Sequence, residues 1–149
     1  EFITQLFTNC LCEDDHPFFA EISHLRVSSH VLIRRDGKVI QYVPFHKRAW
    51  HAGLSCFQGR EVCNDFSVGI ELEGTDFEPF SDAQYKTLTA LIENLQLEYP
   101  SLKEAPITGH EHIAPGRKTD PGPYFDWSRI GDALGVKLPA NAESIAELY

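Results

Sequence analysis

The sequence contains no methionine, and its four cysteines are few and irregularly placed. Cys10 and Cys12 are separated by one residue, which is not the two-residue spacing of redox and zinc motifs. We therefore expect no disulfide scaffold, and a reducing, cytoplasmic setting is the simplest interpretation. Because the chain begins at Glu1 and has no methionine, we also expect it to be an incomplete translation product that lacks an N-terminal segment.

Long apolar runs and an excess of positive charge are also absent. No segment approaches the length of a membrane span, and no signal-peptide pattern is visible. The formal net charge of −9 disfavours nucleic acid and anionic membrane surfaces as partners. With 149 residues, 42% of them hydrophobic, the chain is expected to form one globular domain over residues 1–149.

Three β-rich runs predict a sheet. Residues 30–35 and 38–43 flank Asp36-Gly37, a strong signal for a two-residue hairpin. Residues 66–73 alternate between apolar and polar side chains, which predicts a third strand. Its apolar members are expected to face a helix, and they are Phe66, Val68, Ile70 and Leu72.

Helices are expected between and after these strands. Ser81 and Gln84 have the spacing of a capping box, which predicts a helix from Ser81 to Tyr99. Residues 126–134 predict a second, shorter helix, with Asp126 as its N-cap. Residues 135–149 are expected to form a polar tail. Strands interleaved with helices indicate a mixed α/β domain around one sheet.

The stretch from Thr108 to Pro123 concentrates side chains that can carry chemistry. Its three prolines and three glycines exclude a continuous helix or a central strand, so we expect a rigid loop. Such a loop presenting His110, His112, Lys118 and Asp120 suits a metal or catalytic site, although a polar surface loop would have a similar composition.

Each of these groups has a functional and a structural interpretation. Imidazole and carboxylate both suit zinc, so His110 and Asp120 are candidate ligands; they could instead form turn hydrogen bonds. Lys118 could stabilise an oxyanion, or it could be an ordinary solvated lysine. Trp50 and His51 could wall a ligand pocket, or Trp50 could pack in the core.

Glu71 lies on the polar face of the predicted third strand, with Ser67 and Gly69. A small, acidic face suggests the floor of a cleft, where a partly desolvated carboxylate has a raised pKa and can shuttle a proton. The alternative is a solvated face at the edge of the sheet.

Three blocks of the sequence together resemble the type 2 N-acetylmuramoyl-L-alanine amidase family. They are SSHVLIRRDGKVIQYVPFHKRAWHAG, CNDFSVGIELEGTDFEPFSDAQY and TGHEHIAPGRKTDPGPYFDW, in the family's order. The resemblance is closest to the cytoplasmic members that act in bacterial cell-wall recycling. It implies a single mixed central β-sheet flanked by helices, a fold shared with peptidoglycan-recognition proteins. It also implies zinc-dependent hydrolysis of the amide between anhydro-N-acetylmuramic acid and L-alanine, with an anhydromuropeptide as substrate.

The resemblance also assigns roles to individual residues. His110 matches a zinc histidine of the family and Asp120 its zinc aspartate. Lys118 matches the lysine that holds the oxyanion, and Glu71 matches the acidic residue that acts as general acid and base. The matches to substrate-cleft positions are Trp50, His51, Arg117 and, least closely, Arg26.

The sequence departs from the family at two places. The family's first zinc histidine lies in a V-x-H-N-like stretch upstream of Glu1, and no residue here matches it. The resemblance therefore implies an incomplete zinc site, and low activity, for a chain limited to these residues. His112 stands where the family often has aspartate, and we expect it to point away from the metal. A muropeptide-binding module without catalysis and an exported amidase remain alternatives.

Overall fold

The computed structural model of the protein describes residues 2–136 and residue 138. In chain order the helices and strands are α1 (Phe2–Phe7), α2 (Phe19–Ile22), β1 (Val31–Ile33), β2 (Val39–Gln41), β3 (Cys56–Phe57), β4 (Arg60–Glu61), β5 (Ile70–Leu72), α3 (Asp82–Glu98), α4 (His110–Ile113) and α5 (Trp127–Leu134). Short 3-10 turns lie at Glu13–Asp15, Cys63–Asp65 and Pro100–Lys103. Most of the predicted C-terminal tail lies outside the described residues.

The central sheet has three strands in the order β2-β1-β5. β1 is antiparallel to β2 and parallel to β5. All three residues of β1 are buried, as expected for the middle strand of a sheet covered on both faces. The predicted mixed sheet and the presence of a hairpin are confirmed, but the predicted two-residue turn is wrong. Ile33 pairs with Val39 and the Arg34 amide donates to the Lys38 carbonyl, so the connection has three residues, 35–37, with Gly37 in the left-handed conformation. β3 and β4 form a separate two-stranded sheet.

The two faces of the sheet differ in chemistry. Ile33 pairs with Leu72, and both pack with α3 in the main core, as does Ile70. Leu32 pairs with Glu71 on the opposite face, because successive side chains of a strand alternate between faces. The sheet thus has an apolar face against α3 and a second face that bears a carboxylate.

The predicted strand 66–73 is wrong in its first half. The strand covers only Ile70–Leu72, and Phe66 packs instead in a second cluster with Ala52, Cys63 and Ile113. The Gly69 carbonyl still accepts from the His30 amide at 3.1 Å, but the Gly69 amide donates to Nδ1 of His30, 3.0 Å away, instead of to a strand carbonyl. The ladder therefore ends at this residue.

The predicted capping box of α3 is confirmed. The Ser81 hydroxyl accepts from the Gln84 amide, and the Gln84 side chain accepts from the Ser81 amide. Gln84 is fully buried, and its Nε2 also donates to the carbonyls of Ile33 (3.3 Å) and Glu73 (2.8 Å). One side chain therefore caps α3 and fastens it to the sheet. The predicted Asp126 cap of α5 is confirmed as well.

We expect Gln84→Leu to destabilise the protein by about 2–4 kcal/mol, because the partly buried Glu73 carbonyl and Ser81 amide lose their hydrogen-bond partner. Urea unfolding measures the loss. The matched control is Gln96→Leu on the same helix, whose bond to Leu102 is 3.5 Å long and only partly buried; its expected cost is under about 0.5 kcal/mol. Equal unfolding free energies for the two variants would contradict the role given to Gln84.

None of the helices within the described residues has the length and apolar character needed to cross a bilayer.

Candidate active site

The site forms where the loop from Thr108 to Pro123 meets the face of the sheet that bears Glu71. The loop contains one helical turn, α4, which its glycines and prolines had not indicated. His110 is the first residue of α4, and its Nδ1 lies 3.1 Å from Oδ2 of Asp120. A backbone hydrogen bond connects the same two parts of the loop, since the Glu111 amide donates to the Asp120 carbonyl at 2.9 Å. The loop therefore holds its imidazole and its carboxylate together.

The second nitrogen of His110 faces a main-chain group. Nε2 lies 3.0 Å from the carbonyl oxygen of Ala52, and Nη2 of Arg117 donates to the same oxygen at 2.7 Å. Arg117 also donates to the carbonyl of Leu54. The guanidinium that the sequence suggested for substrate binding thus fastens the 52–54 segment beside His110. A contact between Arg117 and substrate stays a prediction.

Charges around Asp120 favour its ionised form. Burial raises its pKa, but the hydrogen bond from His110 and the positive charges of His110 and Lys118 outweigh burial, so the pKa of Asp120 lies below its ordinary value. Lys118 itself is exposed. An ionised carboxylate beside an imidazole is a donor pair suited to a divalent cation.

Glu71 belongs to the same group of charges but is shifted the other way. Burial, followed by the negative charge of Asp120, raises the pKa of Glu71, while His110 and Lys118 oppose the shift. The structure thus brings together four of the predicted site residues, which are Glu71, His110, Lys118 and Asp120. The two carboxylates have pKa values pushed in opposite directions, which is typical of sites that use one as a proton carrier.

His51 packs against the backbone of Gly69. A Cβ atom at Gly69 would lie 2.4 Å from the His51 ring, so only glycine fits there without displacing the imidazole. Burial, and the charges of His30 and His110, lower the pKa of His51 to about 4. Its Nε2 is buried and has no hydrogen-bond partner within the described part of the chain. His51 is therefore a neutral ring wedged next to the site.

The two remaining predicted cleft residues are Trp50 and Arg26. Trp50 is 55% exposed, which argues against core packing, and the Arg48 guanidinium lies 3.7 Å from its ring centroid. Arg26 lines a cavity of about 560 Å³ with Asn9, Ser23 and His24, a set that includes none of the other predicted site residues. Substrate binding by Trp50 and Arg26 stays a prediction.

His112 turns back onto the start of α4. Its Nδ1 accepts from the Gly109 amide at 2.9 Å, and its ring lies against Trp127. Sequence reasoning missed this capping role, and it also missed Asn64, whose side chain holds the backbone of residues 51 and 52. The close contact between Gly69 and His51 had one sequence signal, which is the presence of a glycine within an otherwise strand-like run.

The donors present fit two positions of a zinc site. Two ligand atoms about 2.0–2.1 Å from one tetrahedral zinc lie about 3.3 Å apart. The separation of Nδ1 and Oδ2 in the His110–Asp120 pair, 3.1 Å, is close to this value. Among residues 2–136 and 138, no group of three or more His, Cys, Asp or Glu side chains is placed to hold a metal. The described residues thus provide a pair of suitable donors, not a full set of three.

Comparison with known proteins finds relatives of this chain among amidases. The 1,6-anhydro-N-acetylmuramyl-L-alanine amidase AmpD of Enterobacter cloacae is 63% identical over 128 residues, which are 86% of this chain and 68% of the relative. A crystal structure of an Se-Met AmpD derivative superposes with a TM-score of 0.86 at 57% identity, covering 91% of this chain and 74% of that one.

A second solved structure is the complex of the E. coli amidase AmiD with anhydro-N-acetylmuramic acid-L-Ala-D-γ-Glu-L-Lys. It has a TM-score of 0.70 at 32% identity and covers 87% of this chain and 56% of that one. The family model for N-acetylmuramoyl-L-alanine amidase matches residues 3–123, which include the Asp36-Gly37 hairpin, Glu71, His110 and Asp120. The chain belongs to the N-acetylmuramoyl-L-alanine amidase family.

Proposed function

We propose that the protein hydrolyses the amide between anhydro-N-acetylmuramic acid and the L-alanine of muropeptides released during cell-wall recycling. Family membership supports the reaction, and the printed names of AmpD and of the AmiD complex support the anhydromuropeptide as substrate. The observation that supports the proposal is Glu71, a carboxylate on the sheet face opposite α3 whose raised pKa responds to the charges of Asp120, His110 and Lys118.

We further propose that a zinc ion is held by Nδ1 of His110 and Oδ2 of Asp120, with a third ligand beyond this pair. When bound, zinc polarises the scissile carbonyl and lowers the pKa of a bound water toward neutrality. Because a catalytic zinc site takes three protein ligands, the proposal requires that third ligand for full affinity. His110 and Asp120 serve to place the reacting groups next to Glu71.

Glu71 carries the proton through the reaction. Its ionised carboxylate accepts a proton from the attacking water, and its protonated form returns that proton to the alanine nitrogen as the amide breaks. A raised pKa assists the second step, since a weaker acid holds the proton until the leaving amine needs it.

The cytoplasmic location that the resemblance implies stays a prediction.

Lys118 stabilises the negative charge that develops on the carbonyl oxygen. We expect Lys118→Ala to lower kcat by about 10²–10³-fold with little change in KM, since the ammonium acts mainly in the transition state. Steady-state hydrolysis of an anhydromuropeptide measures this. The matched control is Lys86→Ala, because Lys86 lies on α3, on the far side of the sheet, where it lines a groove with Arg129. A loss confined to KM would show that Lys118 binds the ground state instead.

The proposed reaction has a direct test. The protein, with added zinc, is incubated with anhydro-N-acetylmuramyl-tripeptide, and mass spectrometry follows release of the free tripeptide. Tripeptide release supports the amidase. Binding without release would favour the muropeptide-binding module. Equal rates on a muropeptide with an ordinary reducing N-acetylmuramic acid would argue against a preference for recycled wall fragments.

A further inference from the structure

The backbone next to the site is held from behind by a buried asparagine. Asn64 is 5% exposed, and its Oδ1 accepts from the amides of His51 (3.0 Å) and Ala52 (2.8 Å). One oxygen thus fixes two consecutive peptide groups. Asn64 lies in the 3-10 turn Cys63–Asp65, outside the loop that carries His110 and Asp120.

The fixed segment ends in the carbonyl that meets His110. Ala52 has no exposed surface, and its oxygen lies 3.0 Å from Nε2 of His110. Nη2 of Arg117 also lies near Nε2, at 3.4 Å, but it is much closer to the Ala52 oxygen, at 2.7 Å, and donates there. A carbonyl oxygen only accepts hydrogen bonds, so the shorter contact of Nε2 with Ala52 indicates a proton on Nε2. With Nε2 protonated, Nδ1 either shares a second proton with Asp120, as the 3.1 Å contact requires when no metal is bound, or presents its lone pair to a cation that replaces that proton.

Metal-binding histidines commonly donate their second ring N–H to a carbonyl or carboxylate, which fixes the tautomer and the direction of the ring. Here the acceptor is a main-chain carbonyl, whose position depends on whatever holds that stretch of backbone. Arg117 holds the carbonyl from the solvent side, and Asn64 holds the preceding amides from the protein interior.

We propose that Asn64 is a positioning residue for His110, acting through the Ala52 carbonyl to keep a proton on Nε2 and to direct Nδ1 toward the proposed zinc position beside Asp120. The inference rests on the proposed zinc site for its consequence in metal binding. Its effect on the His110 ring is independent of that site.

The test compares four variants with the wild type. Asn64→Leu removes the acceptor at similar volume, and Asn64→Ser is too short to reach both amides. Asn64→Asp keeps an oxygen in place and is the expected rescue. The matched control is Ser55→Ala. The Ser55 hydroxyl accepts from the Cys63 amide and donates to the Gly53 carbonyl in the same loop, but it bonds neither the amides that Asn64 holds nor the Ala52 carbonyl.

Two measurements decide the outcome. Long-range ¹H–¹⁵N spectra of the metal-free protein assign the proton of the His110 ring, and competition with a chelator gives zinc affinity. We expect a proton on Nε2 of His110 in the wild type and in Asn64→Asp. In Asn64→Leu and Asn64→Ser this proton should lose its protection against exchange with solvent, and zinc binding should be about 10–100-fold weaker. Ser55→Ala should bind zinc like the wild type.

A wild-type ring protonated only on Nδ1 would overturn the proposal. It would also fail if Asn64→Leu kept wild-type zinc affinity, if Ser55→Ala weakened binding equally, or if both disruptive variants failed to fold, since Asn64 would then be a general fold determinant. If the wild type bound no zinc, the metal part of the proposed function would fail, while the ring spectra would still decide the role of Asn64.

Discussion

Asp120→Ala is expected to abolish stoichiometric zinc binding and to lower kcat/KM by on the order of 10³-fold or more. Asp120 supplies the only carboxylate bonded to His110 within the described residues, and its ionised state is favoured by His110 and Lys118. Removing it deletes a charged ligand and leaves His110 to hold the cation with one fewer protein donor. Affinity falls steeply, because each ligand adds charge and replaces water on the metal.

Metal analysis of protein dialysed against dilute zinc measures the loss, in parallel with tripeptide release. Asp126→Ala makes the same substitution at the cap of α5, where the carboxylate accepts from the Arg129 amide at 3.1 Å. That control should lose about 1 kcal/mol of stability and keep its zinc. Unchanged zinc content in Asp120→Ala would refute the ligand assignment.

The parts of the fold that sequence predicted well are those set by near neighbours in the chain. Asp36-Gly37 determines its hairpin because Gly37 adopts φ +82°, a conformation that glycine reaches without strain. The cap of α3 depends on Ser81 and Gln84, three residues apart, and alternation alone placed Ile70 and Leu72 on one face and Glu71 on the other. Short range is the common feature of these successes.

The failures involve contacts between distant parts of the chain. The strand pattern extended back to Phe66, but the ring of His30, 39 residues earlier, takes the amide of Gly69 out of any ladder. Hydrophobic alternation cannot report this, because it contains no information about which side chain will reach the backbone. Nothing in the order of residues distinguishes Gly69 from a glycine in a bulge.

The site shows the same division. His110 and Asp120 stand out by residue type, but the carbonyl of Ala52 does not, because every residue has one. Its contact with His110 spans 58 residues, and the Asn64 bond that supports it spans 12. Groups that position a catalytic residue through main-chain atoms therefore become visible only once the chain is folded.

Glu71→Gln is expected to lower kcat by about 10²–10⁴-fold, the contribution of a positioned general acid–base group. The amide has nearly the shape of the carboxylate, so KM and zinc content should change little. Glu73→Gln is the matched control on the adjoining backbone, because its side-chain oxygen can still accept from the Arg35 amide, 2.9 Å away in the wild type. Full activity of Glu73→Gln would show that the loss in Glu71→Gln comes from the missing proton transfer and not from a weakened sheet.

The pH profile gives the same prediction a second measurement. Glu71 must be ionised to accept the first proton, so activity should fall as pH drops through its pKa. Burial and the charge of Asp120 raise that pKa above the ordinary value of 4.5, so the acidic limb of kcat/KM should lie at higher pH than for an exposed glutamate. The residual activity of Glu71→Gln should lack this limb. A variant with wild-type kcat, or with the acidic limb unmoved, would show that another group carries the proton.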